Sequence, residues 1–201
     1  MYDIERSGMD KIEIFEGDYE RKQLRDHRII SINYEIEDGE SKDIVEDLNI
    51  IAFSEDTGIP ITLLISSPGG NAFAGTAILH AIQEVQRKGF TVVGHVYGQA
   101  MSMAFFILQC CDKRVMGHYD HLMCHGITTG FFGDLKNIDA EQKIMKKMQE
   151  DFANLIAARS TAPEGSNYRD PAYWANELFD NTPKYYDCDE ALEMGLIDEV
   201  E

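Results

Sequence analysis

The stretch from residue 61 to residue 89 constrains the fold more than any other part of the chain. Residues 61–67, ITLLISS, form a short continuous apolar run, which is typical of a strand buried in a sheet. A glycine-rich turn, PGGN, follows, and apolar residues then recur at helical spacing until Gly89, which predicts a helix over 72–88. The predicted apolar face of this helix comprises Phe73, Ala77, Ile78, Ala81, Ile82 and Val85.

The same alternation of short strands and helices continues along the chain and predicts a single α/β domain. Polar residues 1–20 are predicted to form an N-terminal arm, and residues 21–201 the domain. Further strands are predicted over 28–36 and 90–98, in the segments RVMG and HLMCHG, and in LIDEV at the end. Further helices are predicted over 41–56 with Ser41 as N-cap, over 102–110, over about 134–159, in PAYWANELF, and after Asp187, which forms a D-x-x-E start with Glu190.

Composition and charge exclude several classes of function. The 201 residues carry a formal net charge of −18, which disfavours binding to nucleic acid or to anionic membrane surfaces. No apolar run reaches the length of a membrane span, and no secretory signal is visible, so we expect a cytoplasmic protein. The four cysteines, Cys110, Cys111, Cys124 and Cys188, form no C-x-x-C pair, which argues against a zinc site and predicts buried, reduced thiols.

Three segments carry residues that suggest chemistry. Gly69 and Gly70 turn the backbone sharply before a helix and can present N–H groups to an oxyanion, although a plain turn is the alternative. Ser102 lies between a predicted strand and a predicted helix, as a nucleophile does at a strand-to-helix elbow, although a small packing residue is the alternative. His125 ends an apolar strand and is the candidate base, with His95 as its main rival.

The order of four motifs resembles the proteolytic subunit of the Clp protease, a family of serine peptidases. These motifs are SPGGNAFAGTAILHAIQ, GQAMSMAFFIL, RVMGHYDHLMCHG and EALEMGLIDEV, and the resemblance covers roughly residues 20–201. It implies that Ser102 is the nucleophile and His125 the base, that the N–H groups of Gly70 and Met103 form the oxyanion hole, and that neither metal nor cofactor is needed.

The resemblance also implies a fold and an assembly. The fold would be a spiral of repeated ββα units, similar to that of crotonases, with the helix over 134–159 protruding as a handle. Heptameric rings, stacked in pairs, would enclose a chamber in which unfolded polypeptides are cleaved. A separate ATP-driven unfoldase would supply those polypeptides.

The third member of the catalytic triad is the point where the chain departs from the family. An alignment without gaps on DCDEALEMGLIDEV places Pro183 where the family has an aspartate. We predict that Asp180 fills the role, with Asn181 as the second candidate and Asp187 as a helix N-cap. Two alternatives stay open: a catalytically weak or silent ring subunit, and a crotonase-type acyl-CoA enzyme. A virus-encoded relative that acts in capsid maturation is a variant of the peptidase hypothesis.

Overall fold

The computed structural model describes residues 16–54, 56–130 and 134–201. Helices and strands alternate along most of this part of the chain. The helices are α1 (Glu16–Asp26), α2 (Asp38–Ile51), α3 (Ala72–Arg87), α4 (Met103–Cys110), α5 (Leu135–Arg159), α6 (Pro171–Phe179) and α7 (Cys188–Glu193), with a 3₁₀ turn at Asn167–Arg169. The strands are β1 (Ile29–Ile32), β2 (Ile61–Ser67), β3 (Val92–Met101), β4 (Lys113–Met116), β5 (His121–Cys124), β6 (Lys184–Tyr186) and β7 (Glu199–Val200).

Parallel pairing dominates the sheet. Strands β1, β2, β3, β4 and β7 lie side by side in that order, and each neighbouring pair is parallel. Strand β5 joins β3 in parallel, and β6 pairs with β5 in the antiparallel direction. Helices connect β1 to β2, β2 to β3 and β3 to β4, as parallel neighbours require. The predicted α/β class is confirmed.

The length of β3 brings the ends of two strands together. Its residues 93–95 pair with residues 113–115 of β4, whereas its residues 99–101 pair with residues 121–123 of β5. Because β3 and β5 are parallel, their carboxyl ends lie at the same edge of the sheet, where α/β folds place their sites. Ser102 directly follows β3 and His125 directly follows β5, so both residues lie at this edge.

Helix α4 lies at the centre of the core. All eight of its residues are buried, which agrees with the apolar sequence from Met103 to Leu108. The ring of Phe106 stacks on that of Phe152 in α5, with 4.3 Å between the ring centroids. This contact joins the helix that follows Ser102 to the long helix α5.

The two halves of α5 differ in their environment. Asp134 caps the helix by accepting hydrogen bonds from the N–H groups of Lys136 and Asn137. In the first half Ile144 is 51% exposed, whereas Phe152 and Ile156 in the second half are buried. The helix predicted over 134–159 is therefore present, and its first half extends beyond the core.

Some local predictions need correction. Helix α2 begins at Asp38 rather than at residue 41, and Ser41 is not its N-cap. The Ser41 hydroxyl instead donates a hydrogen bond to the Ala74 carbonyl at 2.7 Å, which ties α2 to α3. Phe73 and Ala77 were predicted on the buried face of α3, but both are exposed.

Other predictions are met or fall partly outside the described residues. The predicted arm boundary at residue 20 lies inside α1, and residues 1–15 are outside the described part of the chain. The four cysteines are free and buried, as predicted, and burial raises the pKa of Cys110 to about 11. Among the described helices, none has both the length and the apolar character that a membrane span requires.

Candidate active site

Ser102 occupies a strained turn between β3 and α4. Its backbone has φ 52° and ψ −120°, a conformation that costs a residue with a side chain about 1–3 kcal/mol. The surrounding structure holds it there, because the Ser102 N–H donates to the Met123 carbonyl at 2.8 Å and its carbonyl accepts from the Phe105 N–H at 3.1 Å. The hydroxyl makes no capping bond to the helix. The turn thus fixes the backbone of Ser102 and leaves its side chain free for chemistry.

The glycine turn after β2 packs directly against this serine. Gly69 has φ 97°, and a Cβ on it would lie 2.6 Å from the Met101 carbonyl oxygen and 2.8 Å from the Met103 nitrogen. Only glycine allows both the positive φ and the close approach of the two backbones. The turn of Gly69 and Gly70 is therefore part of the same compact site as Ser102.

Two backbone N–H groups of this site are available to an anion. Ile36 forms a bridge with the glycine turn, since its N–H donates to the Gly69 carbonyl and its carbonyl accepts from the Asn71 N–H, each at 2.7 Å. The N–H of Gly70 takes no part in this bridge. Met103 is the first residue of α4, so its N–H has no partner within the helix and lies at the positive end of the helix dipole.

A cavity of about 390 Å³ connects these groups. Its lining includes Ser102, Gly70, Met103 and His125, four of the five site residues predicted from the sequence. Apolar side chains complete part of the wall, among them Phe106, Met145 and Phe152. The cavity therefore combines a hydroxyl, an imidazole and two backbone N–H groups with an apolar surface.

The imidazole of His125 has a defined hydrogen-bond partner. Its Nδ1 lies 2.5 Å from the carbonyl oxygen of the neighbouring residue, Gly126. A carbonyl oxygen can only accept, so Nδ1 carries the proton and Nε2 is left with a lone pair that can accept one. The described conformation contains no hydrogen bond between His125 and Ser102, and catalytic hydrogen bonds commonly tighten only when substrate binds.

His95, the rival base, lies elsewhere. Its Nε2 is 3.4 Å from a carboxylate oxygen of Glu201, and its ring packs beside Tyr97. It does not line the cavity that contains Ser102. His125 is thus the histidine that the fold brings to the serine.

Asp180, which the sequence predicts as the third catalytic residue, lies outside the lining of the cavity that contains Ser102 and His125. It is the C-cap of α6, and its side chain is 59% exposed. Its carboxylate faces Lys184, with 3.8 Å between Oδ2 and Nζ, and the residue does not line the cavity of Ser102. The physical reason is that α6 continues to Phe179, so Asp180 ends the helix at the surface instead of pointing back to the sheet.

Asn181, the second candidate, lies closer to the strand that carries His125. Its backbone is left-handed, with φ 53°, and its Oδ1 is 3.2 Å from the point that a Cβ on Gly126 would occupy. It lines a neighbouring cavity with Gln149 and Thr128 rather than the cavity of Ser102. Pro183 is exposed, and Asp187 forms the predicted capping box with Glu190.

Glu35 belongs to the site and was missed from the sequence. It lines the same cavity as Ser102 and His125, although 67 residues separate it from the serine in the chain. The only signal in the sequence is its position beside the buried Ile36, and nothing local shows that Ile36 pairs with the glycine turn.

Comparison with known proteins identifies the family to which the chain belongs. A family model described as Clp protease matches residues 16–201. The chain is also similar to an ATP-dependent Clp protease proteolytic subunit of Deinococcus radiodurans, with 26% identity over 180 residues that cover 89% of this chain and 82% of that protein. The match takes in every helix and strand that builds the cavity around Ser102, and by it the chain belongs to the Clp protease family.

Proposed function

We propose that the protein is a serine endopeptidase that cleaves unfolded polypeptides. The observation that carries the proposal is the cavity in which the strained Ser102, the imidazole of His125 and the N–H groups of Gly70 and Met103 meet. Membership of the Clp protease family supports a peptidase of this kind.

The reaction follows from the roles of these groups. Ser102 Oγ attacks the carbonyl carbon of the scissile peptide bond while His125 Nε2 takes the hydroxyl proton. The carbonyl oxygen becomes an oxyanion that accepts hydrogen bonds from Gly70 and Met103, and each such donor contributes about 3–4 kcal/mol in comparable sites. The imidazolium then protonates the leaving amine, and the acyl-enzyme that remains is hydrolysed by a water molecule that His125 deprotonates.

The Gly126 carbonyl supports this assignment of roles. By accepting from Nδ1–H, it selects the tautomer in which Nε2 is the base. In serine proteases with a triad an aspartate does this, and a carbonyl offers the same acceptor without the negative charge. The role of Asp180 as a third catalytic residue stays a prediction.

We also propose that the protein assembles into rings, on the basis of its family. We expect heptameric rings, stacked in pairs, that enclose the sites, with a separate unfoldase that delivers substrate in the cytoplasm. In such an assembly a neighbouring subunit would cover Ile144, which is 51% exposed on the first half of α5.

Two alternatives to an active serine peptidase make different predictions. A silent ring subunit is favoured by the absence of Asp180 from the lining of the cavity, since loss of an orienting carboxylate can cost about 10⁴ in rate. A crotonase-type enzyme requires a carboxylate base, and Glu35 lines the cavity, but such an enzyme does not require Ser102. Binding of a CoA thioester to the purified protein would revive this second alternative.

The test is the variant Ser102→Ala, with Ser66→Ala in β2 as the matched control outside the cavity. Cleavage of a fluorescently labelled unfolded polypeptide is expected to fall at least about 10³-fold in Ser102→Ala and to stay unchanged in the control. A fluorophosphonate should label Ser102 in the wild type. Normal ring assembly with neither cleavage nor labelling would instead establish the silent subunit.

A further inference from the structure

Glu35 is held beside the oxyanion groups by the backbone that follows it. The next residue, Ile36, is fully buried and bridges to the glycine turn through two hydrogen bonds of 2.7 Å, to the Gly69 carbonyl and from the Asn71 N–H. The backbone of the adjacent residue, Glu35, therefore cannot move far from Gly70 without breaking this bridge. The position of Glu35 at the cavity is a property of the fold rather than of a free loop.

The lining of the cavity contains an acidic side chain but no permanently positive one among the described residues. Its lining contains Glu35 and the imidazole of His125 as titratable groups and, among the residues that the structure describes, no lysine or arginine. None of the ion pairs found in this part of the chain includes Glu35, whereas Lys184 and Arg21, for example, each have carboxylate partners. The Glu35 carboxylate is exposed, so water solvates it while the cavity is empty.

Substrate binding changes the solvation of the Glu35 carboxylate. A polypeptide in the cavity displaces water from Glu35, and a carboxylate that loses water without gaining a partner raises the free energy of the complex. A basic side chain supplies the missing partner, whereas an acidic side chain adds repulsion. The apolar wall formed by Phe106, Met145 and Phe152 can contact the methylene groups of a long lysine or arginine side chain.

We propose that Glu35 is a specificity-determining residue that makes the site prefer polypeptides with lysine or arginine next to the scissile bond. This inference rests on the proposed peptidase function. It adds a substrate class that the nucleophile, the base and the oxyanion groups do not define.

The whole chain provides a competing source of the same preference. Its formal net charge of −18 attracts any cationic peptide, wherever the positive charge lies in that peptide. Glu35 differs because it acts at one position. Peptides with identical composition and net charge, which differ only in where the lysine lies, separate the two effects.

The experiment uses two N-acetylated fluorogenic peptides that are positional isomers. One has lysine beside the scissile bond, and the other has the same lysine at its distal end with leucine in its place. Acetylation removes the amino terminus as an alternative cation. The wild type is expected to cleave the first isomer about fivefold faster in kcat/KM, the effect of a partly exposed ion pair of about 1 kcal/mol.

Two variants locate the preference. In Glu35→Gln the ratio between isomers should fall to within about twofold of unity, and in Glu35→Lys it should reverse. Glu37→Gln is the matched control, since Glu37 lies two residues away, makes no capping bond and does not line the cavity. The control should keep the wild-type ratio. Equal cleavage of both isomers by the wild type, or an unchanged ratio in Glu35→Gln, would overturn the inference.

A binding measurement separates this inference from the proposed function. Ser102→Ala protein is titrated with the two isomers labelled with a fluorophore, and the dissociation constants are compared by anisotropy. If the wild type cleaves neither isomer but the lysine-adjacent isomer binds about fivefold more tightly, and Glu35→Gln in the same background removes the difference, the role of Glu35 in binding basic side chains holds and the peptidase proposal fails. Equal binding of both isomers would overturn the inference whether or not the wild type cleaves them.

Discussion

Two regions flank His125, and they differ in how strongly the fold holds them. On one side, the turn at Ser102 is fixed by the Met123 carbonyl and packs against Gly69 with no room for a Cβ. On the other side, residues 180–183 follow α6 at the surface, where Asp180 is 59% exposed. The groups proposed to attack the substrate and to stabilise its oxyanion are thus preorganised, whereas the region expected to orient the base is not.

The comparison extends to the elements behind each region. Helix α4, which begins at Met103, is buried along its whole length, and its far end is held by Arg159 and by the Arg114–Asp198 pair. After α6, Lys184 forms ion pairs with Glu177 and Asp180, and these pairs are partly exposed to solvent. Solvent-screened pairs of this kind contribute about 0–1 kcal/mol each. Substitutions in the two regions should therefore differ in effect.

Among the substitutions that compare the two regions, the largest effect is expected from Gly69→Ala. A Cβ at this position collides with the backbone of Met101 and Met103, so the serine turn or the oxyanion groups must move. A displacement of about 1 Å in such a site can cost about 10²-fold in rate, and kcat/KM for peptide cleavage should fall by at least that factor.

The matched control for Gly69→Ala is Gly165→Ala. Gly165 has a similar φ, 86°, but a Cβ there meets no atom within 4 Å. It therefore carries the backbone strain of the substitution without the collision, and activity should stay within about twofold of the wild type. If both variants lose activity equally, strain rather than packing against the serine turn explains the effect.

The next effect concerns the buried pair behind α4. Arg114 is almost fully buried, binds both oxygens of Asp198 and donates to Gln109 at the end of α4. Asp198→Ala leaves the guanidinium unpaired, and the free energy of unfolding at pH 7 should fall by about 3 kcal/mol, as when one partner of a buried pair is removed. Urea unfolding followed by circular dichroism measures this change.

The same pair predicts a dependence on pH. Burial alone would raise the pKa of Asp198, but the hydrogen bonds and charge of Arg114 outweigh it and lower that pKa below its ordinary value. Ionised Asp198 therefore stabilises the folded state at neutral pH, and this contribution is lost as the pH falls below about 4. The stability gap between wild type and Asp198→Ala should stay constant from pH 7 to about pH 5 and narrow as the pH falls below about 4, whereas Asp151→Asn on the exposed surface should follow the wild type throughout.

A smaller effect is expected at Arg159, which joins α5 to the end of α4. Its guanidinium donates to the carbonyls of Cys110 at 2.9 Å and Cys111 at 2.5 Å. Arg159→Gln should lower the free energy of unfolding by about 2 kcal/mol, the contribution of hydrogen bonds from a charged donor. Arg87→Gln is the control, because Arg87 is exposed and pairs with Glu84 on the same helix, and its loss should cost less than about 0.5 kcal/mol. Equal losses in both variants would contradict the role given to Arg159.

The smallest effect is expected at Asp180. If the Gly126 carbonyl orients His125, Asp180→Asn should change kcat/KM less than about threefold, compared with about 10⁴ for the orienting aspartate of a serine protease. Asn181→Gly, which keeps the left-handed backbone, tests the second candidate in the same assay. A loss of about 10³-fold or more in Asp180→Asn would show that substrate binding or assembly rearranges residues 180–183 and brings the carboxylate to His125.

Local patterns in the sequence predicted most of the secondary structure correctly. Strand β2 and helix α6 have the predicted bounds, α5 begins within one residue of the prediction, and the capping box of Asp187 and Glu190 is present. These features depend on residues within one or two turns of each other, so their signals are contained in short windows. The prediction of Ser41 as an N-cap was wrong, because its hydroxyl donates a tertiary hydrogen bond to the Ala74 carbonyl.

The residues of the candidate site also fall into two groups, those that local sequence patterns predict and those that only the fold brings together. The glycine turn, the serine after a strand and the histidine at a strand end were recognisable in the sequence because each marks a local turn with its own residue pattern. Only the tertiary structure decided that Asp180 ends α6 at the surface, that Gly126 holds the imidazole, and that Glu35 joins the cavity through the bridge between Ile36 and Gly70. These contacts depend on the path of loops and on pairing between distant segments, and no short window of the sequence encodes either.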